Sequence, residues 1–169
     1  LETSSDYDGY GHVIRDINEG VTSLGGAGCE PCEREETIYG KPCGEQCIGD
    51  EMTTVTQYIT PGPATGDRWL LGLASHTQTM GREGDPWVAE SWTYYDGPDF
   101  EGLPLGQAAT GNPSRVVIKR DVESGHLIEV ARNAYDEHGN VIATLDPLGE
   151  PEGHTHQRQY VYSDDGLRV

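Results

Sequence analysis

The stretch SRVVIKRDVESGHLIEVARNAYDEHGNVIATLDPLG, residues 114–149, decides the fold class. Residues 114–122 (SRVVIKRDV) and 126–135 (HLIEVARNAY) are two β-rich runs joined by Glu123-Ser124-Gly125, a short loop containing glycine. That pattern reads as a hairpin. Residues 140–145 (NVIATL) and 157–162 (QRQYVY) continue it as a meander. Upstream, residues 12–17 (HVIRDI), 53–60 (TTVTQYIT), 69–73 and 90–95 read as further strands, and helical periodicity is hard to find anywhere. The expected fold is all-β, an antiparallel meander of hairpins.

Composition fits a turn-rich β protein. Glycine (23) and proline (10) sit between apolar segments, while tyrosine, tryptophan and β-branched residues persist, which argues against disorder. Only 34% of the residues are hydrophobic, as a thin sheet with both faces partly wet would require. Lysine and arginine number 11 against 29 acids, giving a net charge of -18 and a pI near 4.4. Such a surface repels phosphate backbones, so nucleic acid and anionic membranes are poor candidates as partners. No apolar run approaches the roughly 20 residues needed to span a bilayer, so a soluble segment is expected. The 169 residues suit one domain or a slice of a larger one. A start at Leu1 without an initiator methionine, and an end at Val169 within a strand-like run, lead us to expect a fragment or processed product.

The connectors repeat. Asp8-Gly9-Tyr10-Gly11, Asp136-Glu137-His138-Gly139 and Asp146-Pro147-Leu148-Gly149 read D-x-x-G, and Ser163-Asp164-Asp165-Gly166 is a near copy. A type I turn favours Asp or Ser first, Pro second and Gly fourth, so all four fit one template. Tyrosine precedes the aspartate at Tyr7 and Tyr135, and Tyr160 and Tyr162 flank Val161 near the last copy. A recurring Tyr-Asp-turn-Gly unit points to repeated hairpins.

The series Tyr135-Asp136-x-x-Gly139-Asn140-Val141, Asp146-Pro147-x-Gly149, Tyr160-x-Tyr162 resembles the YD repeat of the Rhs proteins. Residues Tyr94-Tyr95-Asp96-Gly97-Pro98-Asp99-Phe100-x-Gly102-Leu103-Pro104-Leu105-Gly106-Gln107, after Trp69-Leu70-Leu71-Gly72-Leu73, look like the corresponding region of the B component of bacterial insecticidal toxin complexes and related Rhs-like toxins. The resemblance covers roughly residues 5–169, apart from a cysteine-rich insert. It implies a segment of a larger spiralling β-sheet shell that encloses a toxic cargo, with no enzyme activity of its own, in a secreted or cell-surface bacterial protein. Its sheet edges would join the rest of the same polypeptide or neighbouring chains. The expected organisation is a first YD-like hairpin strand in 1–28, the cysteine-rich insert in 29–50 and a YD-repeat sheet in 51–169. The alternative is a secreted or surface YD-repeat module that binds glycans or proteins through exposed tyrosines such as Tyr94 and Tyr95.

Chemistry-bearing patterns are few. Cys29-x2-Cys32-x10-Cys43-x3-Cys47 holds every cysteine of the chain. Two close pairs across a short loop suit a tetrahedral zinc site. They equally suit nested disulfides, Cys29 with Cys47 and Cys32 with Cys43, in an extracellular protein, with free thiols as the third option. In each case the cluster is expected at the tip of a hairpin between strands 12–17 and 53–60, as its staple. An enzyme built on the cluster would need three protein ligands and an open water position. His154-x-His156 would put two imidazoles on one face if strand-like, a metal pair, but the reading preferred is a polar loop after Pro151-Glu152-Gly153, since no carboxylate or Cys spacing completes the set. The loop from Asp6 fails as an EF-hand, since Ile17 stands where a bidentate glutamate is required. There is no G-x-S-x-G, H-E-x-x-H or P-loop pattern. The tyrosines suggest cross-strand ladders, and residues 93–111 a strand end running into a corner shaped by Gly97, Gly102 and Gly106 and plugged by Leu103 and Leu105.

Overall fold

The computed structural model describes residues 3–18, 23–24, 27–28, 37–38, 41–42, 52–60, 70–81, 87–98, 100–119, 125–146 and 156–163. Among them every regular element is a strand: β1 (Thr3–Tyr7), β2 (Val13–Asn18), β3 (Ser23–Leu24), β4 (Ala27–Gly28), β5 (Thr37–Ile38), β6 (Lys41–Pro42), β7 (Met52–Tyr58), β8 (Ala74–Met80), β9 (Trp87–Tyr95), β10 (Pro113–Lys119), β11 (Leu127–Tyr135), β12 (Val141–Leu145) and β13 (Gln157–Gln159). Nine strands form one antiparallel meander in the order β1-β2-β7-β8-β9-β10-β11-β12-β13, and β3-β4 and β5-β6 are two small separate ladders. The fold class is therefore all-β, as expected from residues 114–149.

The chain divides into two compact units, Leu1–Val55 with Gln78–Val88, and Thr56–Thr77 with Ala89–Val169. In the first, β1 pairs β2 from Thr3↔Asn18 to Tyr7↔Val13, and β2 pairs β7 from Arg15↔Val55 to Asn18↔Met52. β2 and β7 are thus a hairpin with a long insert between them, which is where the sequence placed the cysteine loop. The cysteines Cys29, Cys32, Cys43 and Cys47 themselves lie outside the described residues.

In the second unit β10 is the axis. Pro113 opens it, where a missing N–H costs no ladder bond, and its Val-Val-Ile run pairs β9 on one side and β11 on the other. β11 pairs β12 (Arg132↔Leu145 to Tyr135↔Val141), and β12 pairs β13. Two small apolar clusters serve this sheet. One is Ile59, Tyr95 and Ala108 with Leu70 and Leu73; the other is Phe100, Ala143 and Leu145 with Ala134. Three of the six buried members are alanine or tyrosine with a polar end, so the sheet is thin.

Two expected strands shift. Residues 70–73 precede β8 rather than forming a strand: Gly72 has φ +77°, Leu70 and Leu73 pack on the Ile59 cluster, and Ile59 N–H donates to Leu73 O at 2.9 Å. Their apolar character fills a gap beside the sheet. The strand is β8, ASHTQTM, whose alternation is written in Ser, His, Thr and Gln and so gives no hydrophobic signal. At the other end β13 stops at Gln159, short of the expected 162, and the chain continues beside β12 through Tyr160 N–H to Ile142 O at 2.9 Å.

Candidate functional site

Two of the Tyr-Asp turns are copies atom for atom. Asp8 N–H donates to His12 O (2.9 Å) and Gly11 N–H to Asp8 O (3.2 Å); Asp136 N–H donates to Asn140 O (3.0 Å) and Gly139 N–H to Asp136 O (3.1 Å). The carboxylates act alike. Asp8 Oδ1 accepts from Tyr10 N–H (2.8 Å) and His12 N–H (2.9 Å), and Asp136 Oδ1 accepts from His138 N–H (2.9 Å) and Asn140 N–H (2.8 Å). The second oxygen meets the side chain four residues on, His12 Nδ1 at 2.9 Å or Asn140 Nδ2 at 3.0 Å. Gly11 and Gly139 take φ of +88° and +84°, a region that other residues enter at a cost. Each turn is followed by a bulge at the same offset, leaving Ile14 and Ile142 as extra, exposed residues.

These bonds explain the carboxyl titrations. For Asp8, desolvation pushes the carboxyl up, but the bonds from His12 and Tyr10 outweigh it and hold it below 3.8. For Asp136, the Asn140 side-chain bond is the largest influence and the carboxyl again lies below 3.8. Both aspartates are therefore charged turn-formers rather than proton carriers.

The tyrosines recur as hydroxyl clasps. Tyr95 Oη donates to Ala74 O (2.8 Å), Tyr135 Oη to Pro113 O (2.9 Å) and Tyr162 Oη to Val141 O (3.1 Å). Ala74, Pro113 and Val141 are the first residues of β8, β10 and β12. In an antiparallel meander the end of one strand lies beside the start of the strand before it. Tyr95 and Tyr135 thus tie the ends of β9 and β11, and Tyr162 the chain three residues past β13, to that neighbour's first carbonyl, 21, 22 and 21 residues earlier. Burial pushes the phenol of Tyr95 up; burial, helped by the Asp96 charge and opposed by Asn133, does the same for Tyr135.

Asp96 departs from the turn template. Its Oδ2 accepts N–H bonds from Ala109 (2.7 Å), Thr110 (2.9 Å) and Gly111 (2.9 Å); its Oδ1 accepts from Asn112 N–H (3.0 Å) and the Thr110 hydroxyl. Its own N–H donates to Asn112 O at 2.7 Å. One carboxylate thereby closes the connection from β9 to β10. Within that loop Phe100 and Ala108 enter the two apolar clusters, while Leu105 is 41% exposed, so Phe100 and Ala108 fill the role the sequence suggested for Leu103 and Leu105. A Cβ on Gly97 would stand 2.7 Å from Gly102 C, and one on Gly102 would stand 2.7 Å from Tyr94 Cβ. The corner is shaped by contact as well as by φ.

Beside the corner runs a row of paired charges. Arg115 lies over the Tyr94 ring at 5.2 Å and binds Glu129 through Nε (2.8 Å) and Nη2 (2.6 Å) and Glu101 through Nη1 (2.8 Å). Arg132 joins Glu129 through Nη2, with its Nε and Nη1 buried and unbonded. Further along, Glu90 binds His76 Nε2 at 2.9 Å and Lys119 Nζ at 3.6 Å, and His76 stacks on Trp92 at 5.2 Å. Sequence reasoning passed over this His76–Glu90–Lys119 set because the members lie on three different strands. Their only local signal was a charged residue on the same strand face as tryptophan.

The arrangement bears on the glycan reading. Tyr95 is buried with its hydroxyl used, and one face of Tyr94 is covered by a guanidinium, so neither ring is an open platform. Among the described residues the exposed tyrosines are Tyr7 and Tyr10, at 61% and 58%. Among the described residues no group of three or more His, Cys, Asp or Glu side chains is placed to hold a metal. His156 is described, with φ +58°, while His154, Gly149, Asp164 and Gly166 lie outside the described residues together with the four cysteines. Asp146 N–H donates to His156 O at 3.2 Å. No helix among the described residues is long and apolar enough to cross a membrane. Comparison with protein-family models and with curated proteins finds no match.

Proposed function

We propose that this chain is a wall segment of an Rhs-like shell, whose work is to enclose a toxic cargo, sterically and without catalysis. The observation that supports the reading is the duplicated Tyr-Asp turn: Asp8 and Asp136 make the same set of backbone bonds in hairpins far apart in sequence. Tyrosine clasps add a second rhythm to the sheet. Both devices fix hairpin ends, and neither offers a nucleophile or an open ligand position. A wall built by repetition needs only neighbour-to-neighbour contacts, and it extends by pairing its edge strands with further polypeptide. The partners are accordingly the rest of its own polypeptide or adjacent chains, together with the cargo, in a secreted or surface protein. The Cys29, Cys32, Cys43 and Cys47 loop is a local staple, by zinc or by disulfides.

Light scattering of the purified chain tests the reading. Association through unpaired edges is expected, and a monodisperse, stable monomer would count against it. The rival module that binds glycans or proteins has one observation in its favour, the exposed Tyr7 and Tyr10 at the first turn. A glycan array that is positive, and lost on replacing both by alanine, would favour that rival.

A further inference from the structure

The connection between Tyr95 and Pro113 reaches into both apolar clusters of its unit through Phe100 and Ala108. Its backbone ties to the surrounding sheet are few: Leu103 N–H to Tyr95 O at 2.8 Å and Thr60 N–H to Gly106 O at 3.2 Å. Against these stand the five donors gathered on Asp96. All five are neutral, four being consecutive main-chain amides of residues 109–112. Residues 109, 111 and 112 are half-buried and Thr110 is exposed, and a carboxylate is the one short side chain with lone pairs enough to gather this set.

We propose that Asp96 is an acid-operated latch: when its carboxylate takes up a proton, the 97–111 segment leaves the sheet while β9, β10, β11 and β12 stay paired. Protonation turns one of the two oxygens into a donor that points at other donors: on Oδ2 it displaces the amides of 109–111 together, and on Oδ1 the Asn112 amide and the Thr110 hydroxyl. Acid also weakens the Asp136 turn between β11 and β12, but the ladder bonds of β9 to β12 are main-chain to main-chain and include no carboxylate, so the strands stay paired. Release uncovers the Ile59–Tyr95 and Ala143–Leu145 surfaces that Ala108 and Phe100 cover.

The groups facing Asp96 set the condition. Burial pushes its carboxyl up, but the bonds from Thr110, Gly111 and Ala109 prevail and hold it below 3.8. From β11, Tyr135 faces it with a phenol that stays neutral in acid. Asn112 is in contact distance of the position a Gly139 Cβ would take, which brings the Asp136 turn alongside. Beyond the strand end, Arg115 is engaged by Glu129 and Glu101. A lowered folded value means the latch is closed above the ordinary aspartate range, near 3.9, and opens as pH falls below it. The latch belongs to this sheet and does not depend on the chain being a shell wall.

The test is an acid titration of the whole chain by amide-resolved NMR. The expected result is that the amides of residues 97–112 move to random-coil positions with a midpoint below pH 4, while those of β10 and β11 remain dispersed. Asp96→Asn is expected to show the same loop signature at neutral pH, and Glu101→Gln to leave the loop closed. Loss of loop and strand signals in one transition would overturn the proposal, as would an Asp96→Asn chain that keeps its 109–112 amides in place or loses its strands as well.

Discussion

Gly102 and Gly106 form a matched pair that separates two reasons for a glycine. Both have positive φ, +81° and +83°. A Cβ on Gly106 would meet nothing within 4 Å, whereas one on Gly102 would lie 2.7 Å from Tyr94 Cβ and 3.1 Å from Tyr94 C. Gly106→Ala therefore costs only the left-handed backbone, about 1.5 kcal/mol. Gly102→Ala adds overpacking of about 2 kcal/mol against an atom that cannot swing away, because it is fixed to a paired strand, for a sum of about 3.5 kcal/mol. At roughly 3 °C per kcal/mol for a chain of this size, Tm should fall by about 4 °C for Gly106→Ala and about 10 °C for Gly102→Ala. Circular dichroism melts at neutral pH, repeated with urea titrations monitored by tryptophan fluorescence, give the comparison. Equal losses in the two variants would refute the close approach of the 98–103 arm to β9, and a neutral Gly106→Ala would refute the positive φ at that corner.

The repeated devices give three further expected outcomes. Tyr135→Phe removes the hydroxyl bond to Pro113 O and should cost about 1 kcal/mol in urea unfolding, while Tyr7→Phe, at a 61% exposed ring, should change nothing measurable. His12→Asn should leave the first turn intact, since Asn140 makes the same contact in the second; loss of the Asp8 amide shifts by NMR would break the equivalence. Asp8 and Asp136 have folded values depressed below 3.8, so the stability they contribute is present above the unfolded aspartate range and drains away as pH falls through the folded value. Asp136→Ala should accordingly lower Tm at pH 7 and flatten the acid limb of the Tm-against-pH curve, and an unchanged acid limb would contradict that role.

The strands that were legible in the sequence are those whose signal is apolar. Val116, Val117 and Ile118 announce β10, and Val141, Ile142 and Leu145 announce β12, because β-branched side chains suit a half-buried pleat. β1 and β8 were opaque for the same reason reversed: Thr-Ser-Ser-Asp-Tyr and Ala-Ser-His-Thr-Gln-Thr-Met pair through backbone bonds that leave no hydrophobic trace. Leu70 and Leu73 misled because an apolar pair reads the same whether it lies within a strand or plugs the space beside one.

Local chemistry was legible where it is local. A D-x-x-G tetrapeptide contains its whole hydrogen-bond set within five residues, so the turns at Asp8 and Asp136 could be written down from sequence, while the positive φ at Gly11 and Gly139 came from the structure. Asp96 carries the same Tyr-Asp signature, yet its donors come from residues 13 to 16 positions away. Nothing in Tyr-Tyr-Asp-Gly distinguishes an aspartate that closes its own turn from one that gathers a distant run of amides. The difference lies at the far end of the loop, where the amides of residues 109–112, just before the start of β10 at Pro113, meet the Asp96 carboxylate. Residue type thus set which groups could bond, and the return of residues 109–112 to the end of β9 set which of them did.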